Sequence, residues 1–261
     1  MSQRHIAMMC LAIVSSAETS ANHSHWDSPD YIQDSFVTIA LGREYGQATS
    51  HLNKWADPIH FTITDFTGDD ELHQRMVKQH LEHLSHITGL SITPSSTTQH
   101  ANLEIIFGAE SELETLLKEK LAVSSDNLRA KLLANGVCYG RISLSREVIS
   151  HAIVIVPVDR ARAQAKLMSC VVEELTQVLG LANDSDNVFP SIFNDRSHDD
   201  FLSGLDYTLL KLLYHPSLKP GMTEKQVREQ LKKLLSTSTF GVIIEHAEQQ
   251  VRVNSLENWL D

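Results

Sequence analysis

Residues 152–156 read AIVIV, with no polar interruption. A strand of this kind is covered on both faces, so it belongs in the middle of a sheet with other elements packed above and below it. A polar helix start at Asp159 follows and leads into residues 170–183, CVVEELTQVLGLAN. This second run is an amphipathic helix that closes at Gly180 and turns into a polar loop. Leu167, Val171, Leu175 and Val178 form its apolar stripe. Glu173 and Gln177 lie one turn apart on the same side, and Glu174 sits about 100° round, at the border of the stripe. Three oxygen-bearing side chains therefore share one edge of an otherwise apolar helix. Such an edge is either the floor of a site or the rim of a buried helix.

The remaining elements follow from periodicity and caps. Ser28 before Pro29 is a helix N-cap with proline at the first position, and Ile32, Phe36, Ile39 and Ala40 recur at helical spacing up to Leu41 and Gly42. Residues 55–64 alternate Ile59, Phe61 and Ile63 against His60, Thr62 and Thr64, the signature of a half-buried strand. Residues 91–100 are rich in Ser and Thr around Pro94 and read as a loop. A strand at 103–107, helices at 110–121 and 124–133 and a strand at 138–144 lead up to AIVIV. Beyond the polar loop, residues 205–214 form a helix stopped by Pro216. Thr223 and Gln226 make a capping box for a helix to about residue 235, and residues 240–244 read as a last strand. The expected fold is α+β, a mixed twisted sheet of four or five strands flanked by helices, with the 170–183 helix below a cleft.

At the start, Arg4 and His5 precede the apolar run 6–14 and the small residues Ser15 and Ala17, the three-part pattern of a secretory signal peptide. The run is too short to span a bilayer. The expected organisation is a signal peptide at 1–17, a flexible mature N-terminus at 18–28, one domain at 29–222 and a C-terminal helix and strand extension at 223–261. Localisation is then periplasmic or secreted. A formal net charge of −11 argues against nucleic acid or an anionic membrane as partner.

Removal of such a leader leaves Cys138 and Cys170, and an oxidising compartment favours their pairing. The bridge would tie the start of the key helix to the strand upstream. The rival reading makes Cys170 a thiolate ligand or nucleophile beside Glu173 and Gln177. Histidines also crowd residues 70–88: His73 and His80 project near the stripe of Met76, Val77, Leu81 and Leu84, whereas His86 points elsewhere. They do not form the three or four convergent ligands that a zinc site needs.

The order of pieces now matters: apolar strand, helix with Glu-Glu-x-x-Gln, Gly180, a loop holding Ser191-Ile192-Phe193, then Asp206 through Leu213 and Tyr214. This resembles the second half of a metzincin-type zinc metalloprotease, whose helix carries His-Glu-x-x-His-x-x-Gly-x-x-His. The resemblance matches Glu174 to the general base and Gly180 to the turn glycine. It matches Ser191 and Ile192 to the turn before its methionine, and Asp206, Leu213 and Tyr214 to the closing helix. The chain is more closely similar to an uncharacterised bacterial family of exported zincin-like proteins, domain-of-unknown-function family 2927, with Glu-Glu-x-x-Gln in place of His-Glu-x-x-His.

Where the metzincin pattern has three histidines, this chain has Glu173, Gln177 and Asn183, and Phe193 replaces the turn methionine. Of the three, only Glu173 is an ordinary zinc ligand, while amide oxygens suit a hard cation such as calcium. The expectation is an exported metalloprotease-like protein acting as a non-catalytic binding or structural module, with an unidentified peptide or protein ligand and no cofactor. In the alternative, zinc or calcium at the degenerate site supports a peptidase or other hydrolase with Glu174 as general base. His198 and Asp199 are near enough in the loop to supply a substitute ligand.

Overall fold

The computed structural model describes residues 26–42, 51–197 and 199–260. Its elements in chain order are α1 (Pro29–Leu41), β1 (Lys54–Trp55), β2 (Ile59–Asp65), α2 (Asp70–Thr88), β3 (Ile92–Pro94) and β4 (Leu103–Gly108). Next come α3 (Leu113–Glu119), α4 (Asp126–Asn135), β5 (Tyr139–Ser145), β6 (Val148–Pro157), α5 (Val158–Ala163) and α6 (Leu167–Gln177). The chain ends with α7 (Gly204–Leu213), α8 (Glu224–Leu235), α9 (Ser238–Glu245) and α10 (Ala247–Gln250). The leader at 1–17, the polar tail up to residue 25 and His198 lie outside the described residues.

The apolar run forms β6, which pairs in parallel with β4 on one side and antiparallel with β5 on the other. Parallel pairing continues from β4 to β2 and from β2 to β3, and β1 pairs with the first residues of β6. Side-chain alternation then divides the core. Ile105, Phe107, Val154 and Val156 face the larger cluster beneath α2 and α6, while Ile106 and Ile155 meet Leu113, Leu117, Leu132 and Tyr139 under α3 and α4. Covering of both faces is what an uninterrupted apolar strand demands.

The histidine-rich helix is structural where it is buried. His80 Nε2 donates to the Val172 carbonyl of α6 at 3.0 Å, and His73 Nδ1 lies 2.5 Å from Asp65 Oδ2, with its ring stacked on Phe107. Burial with this support pins α2 against both sheet and α6.

Several expectations are corrected. The sheet has six strands rather than four or five, and among the described residues β5 alone runs against the rest, so the architecture is α/β rather than α+β. The strand expected at 55–64 breaks at Pro58 into β1 and β2, since proline lacks the donor that a ladder needs. The Ser/Thr-rich segment contains edge strand β3, where Pro94 is tolerated because, among the described residues, β3 pairs with β2 alone. Residues 240–244 are helical within α9, since the Thr237 side chain accepts from Phe240 N–H and starts a helix that a short apolar run does not reveal.

Candidate functional site

The end of α6 is fixed from three sides. Beyond Gln177 the chain turns at Gly180, whose φ of +119° is left-handed and whose missing Cβ would otherwise collide with the Asn53 carbonyl oxygen. Trp55 Nε1 donates to the Val178 carbonyl at 2.9 Å and Tyr214 Oη to the Leu179 carbonyl at 2.7 Å. These bonds occupy carbonyls that a helix end leaves without intrahelical donors. Strand β1 and the end of α7 thereby hold the edge carrying Glu173 and Gln177.

The loop that follows is anchored by Asp206. This buried carboxylate accepts from Ser191 Oγ (2.6 Å), Ile192 N–H (3.0 Å), Ser203 N–H (2.8 Å) and Ser203 Oγ (2.9 Å). Ser203 in turn caps α7. Burial pushes the Asp206 carboxyl up to about 6 against four donors that favour its charge. Phe193 is buried in the main core, and its N–H bonds to Ser191 Oγ. The turn predicted at Ser191, Ile192 and Phe193 is thus seated on the start of α7.

This folding brings Glu173, Asp184 and Asp195 together, with one carboxylate oxygen from each lying within 4.8 Å of the others. Gln177 Nε2 donates to Asp184 Oδ1 at 2.6 Å, which places the amide beside the same group. Asp184 and Asp195 lie in an irregular loop, where no periodicity marks a residue; the Asp-Ser-Asp at 184–186 is a signal for the first alone. Asn183 is engaged elsewhere: its Nδ2 donates to the Thr38 carbonyl at the end of α1 and packs against Gly42. Asp199 is bonded to the Ser197 hydroxyl.

Glu174 faces the sheet. It is buried, and its Oε2 lies 2.6 Å from where a Cβ on Gly140 would stand, so the glycine gives the carboxylate room under β5. Burial first, then the nearby charges of Glu110 and Glu174, push the Tyr139 hydroxyl up to about 12. Cys138, just before β5, and Cys170 of α6 form a disulfide, which sets aside Cys170 as a free thiolate.

Between these elements opens a cavity of about 430 Å³, lined by Gly140 and Ile142 of β5, Leu128 and Leu132 of α4, and Gln177 and Val178 at the end of α6. The outer edge of β5 borders it, since β5 pairs with β6 alone among the described residues.

Residues 29–233 match the family described as a protein of unknown function (DUF2927). This chain belongs to DUF2927. The family match takes in the sheet, α6, the anchored loop, α7 and most of α8, and so covers every residue of the site just described. No curated protein matches the chain. Among the described residues, no helix of this DUF2927 member is long and apolar enough to cross a membrane.

The donors can be tested against zinc directly. Asn183 is committed to Thr38 and the Gln177 amide to Asp184, and the groups that converge with Glu173 are carboxylates. Among the described residues, a nitrogen- and sulfur-preferring ion finds no imidazole or thiolate in that cluster. An all-oxygen set fits calcium better.

Proposed function

We propose that this DUF2927 chain is an exported, metalloprotease-like module without a catalytic zinc, and that its cleft takes an extended peptide along the outer edge of β5. The observation that carries the reading is that edge, which lines the cavity together with Gln177 and Val178. A peptide adding to β5 gains main-chain hydrogen bonds, and Leu128, Leu132, Ile142 and Val178 receive its alternate side chains. The order of edge strand, α6, Gly180 turn, Ser191–Phe193 turn and α7 supports the metalloprotease-like part. Peptide hydrolysis also needs an electrophilic stabiliser, and the residues at the zinc positions do not supply one, so binding is favoured over cleavage. The Cys138–Cys170 bridge suits an oxidising compartment and supports export.

Peptides selected from a display library against the full chain test this. Binding should protect the amides of residues 140–144 from hydrogen exchange. Leu128→Glu, at a position 39% exposed and so tolerant of charge, should weaken an apolar peptide by roughly tenfold. Protection confined to another surface would overturn the reading, as would one zinc per purified chain by elemental analysis.

The convergence of Glu173, Asp184 and Asp195 favours a second reading, a cation-dependent hydrolase with Glu174 as general base. It requires one calcium or zinc per chain by equilibrium dialysis and loss of turnover in Glu174→Gln. Retained turnover would eliminate it.

A further inference from the structure

A second cavity, of about 560 Å³, lies among the ends of α2 and α7 and the start of α9. Its apolar wall includes Ile87, Phe240 and Ile243, and its polar groups include His86, Lys211 and His215. No Asp or Glu of the described residues lines it, in a chain of formal net charge −11. Among the described residues no carboxylate pairs with Lys211, whose ammonium stands 5.4 Å from the centre of the Tyr207 ring.

Basic side chains in a last helical turn ordinarily answer open carbonyls. Here several of those carbonyls are already taken. The Leu210 and Leu212 carbonyls accept from Tyr214 and His215 N–H, and Leu213 accepts the Lys54 ammonium at 2.5 Å. On α2, the Ser85 carbonyl accepts from Gly89 N–H and the Leu84 carbonyl from the Thr88 hydroxyl. Among the described residues Lys211 makes no hydrogen bond to the helix ends around it.

Two further donors meet the same space. His215 Nδ1 accepts from Ser217 N–H at 3.2 Å, which leaves the ring proton on Nε2. Thr237 caps α9, and the amide of Thr239, which lines the cavity, belongs to the first turn, where N–H groups have no intrahelical acceptor.

We propose that this cavity binds a small organic monoanion, its carboxylate held by Lys211, His215 and the first turn of α9 and its apolar body resting on Phe240 and Ile243. One lysine matches one negative charge, and a mostly apolar wall with a few convergent donors is the usual form of a small-ligand site. The inference does not depend on the β5 cleft.

Calorimetric titration of the full chain with decanoate, below its micelle concentration, tests it, with decanol, decylamine and decyl phosphate alongside. Decanoate should bind one per chain, and decanol and decylamine at least roughly tenfold more weakly. Lys211→Met keeps the stem, removes the charge and should weaken decanoate by about tenfold or more. Thr239→Trp, at an exposed position on the cavity wall, should block it while thermal unfolding of the free protein stays unchanged. Absence of decanoate binding, equal binding of decylamine, or undiminished binding in both variants would overturn the proposal. Much tighter binding of decyl phosphate would overturn the carboxylate assignment.

Discussion

Gly180 is the residue on which the site geometry turns. Its φ of +119° excludes ordinary side chains, and the Asn53 carbonyl occupies the space that a Cβ would need. Gly180→Ala therefore meets backbone strain and a backbone collision together and should lose about 3 kcal/mol or more in urea unfolding. A loss within about 0.5 kcal/mol, the usual range of an inert surface change, would show that the turn can relax. At this scale the sequence was readable where a period exists. Glu173 and Gln177 share an edge because helical spacing places them there. The metzincin resemblance puts Asn183 at the third ligand position, yet folding turns it towards Thr38. Asp184 and Asp195 replace it beside Glu173 because a loop can fold back on itself.

Among the elements, the β5–β6 hairpin turns through Arg146 and Glu147, both at positive φ (50° and 67°). A two-residue turn of this kind favours Asn-Gly, and nothing in Arg-Glu announces it. Part of the cost is met by Asn53 Nδ2, which donates to the Glu147 carboxylate at 2.9 Å. Arg146→Asn should stabilise the protein by about 0.5–1 kcal/mol, read as a higher denaturation midpoint with an unchanged slope. The disulfide works at the other end of the same strand. Replacing Cys138 and Cys170 by Ser should cost about 3 kcal/mol, and hydrogen exchange should rise first at the Tyr139 end of β5. Uniform acceleration across the sheet would show that the bridge does not act locally. Strand β6 and helix α6 were legible because length and pattern agreed. Strand β3 and helix α9 were not, since one is a three-residue edge and the other presents an apolar run that fits either period.

For the whole molecule, the buried titratable groups set a pH dependence in which opposing contributions partly cancel. Burial lowers His80 to about 3 and His83 to about 4 from 6.5, so each stays neutral in the fold at a pH where the unfolded chain is protonated. Stability from both is present above pH 6.5 and is lost as pH falls, towards about 4 for His83 and about 3 for His80. Asp206 acts the other way. Raised from 3.8 to about 6, its contribution is present below 3.8 and is lost as pH rises through 6. Near pH 5 the unfolded chain holds about two more protons on the histidines and the folded chain about one more on Asp206. The difference, about one proton, corresponds to a loss of about 1.4 kcal/mol per unit of acidification. His83→Gln should bring that slope close to zero, whereas Asp206→Asn should roughly double it. Slopes from urea unfolding at several pH values between 4.5 and 5.5 separate these outcomes even if both variants begin less stable. An unchanged slope in both would mean that other groups govern acid unfolding.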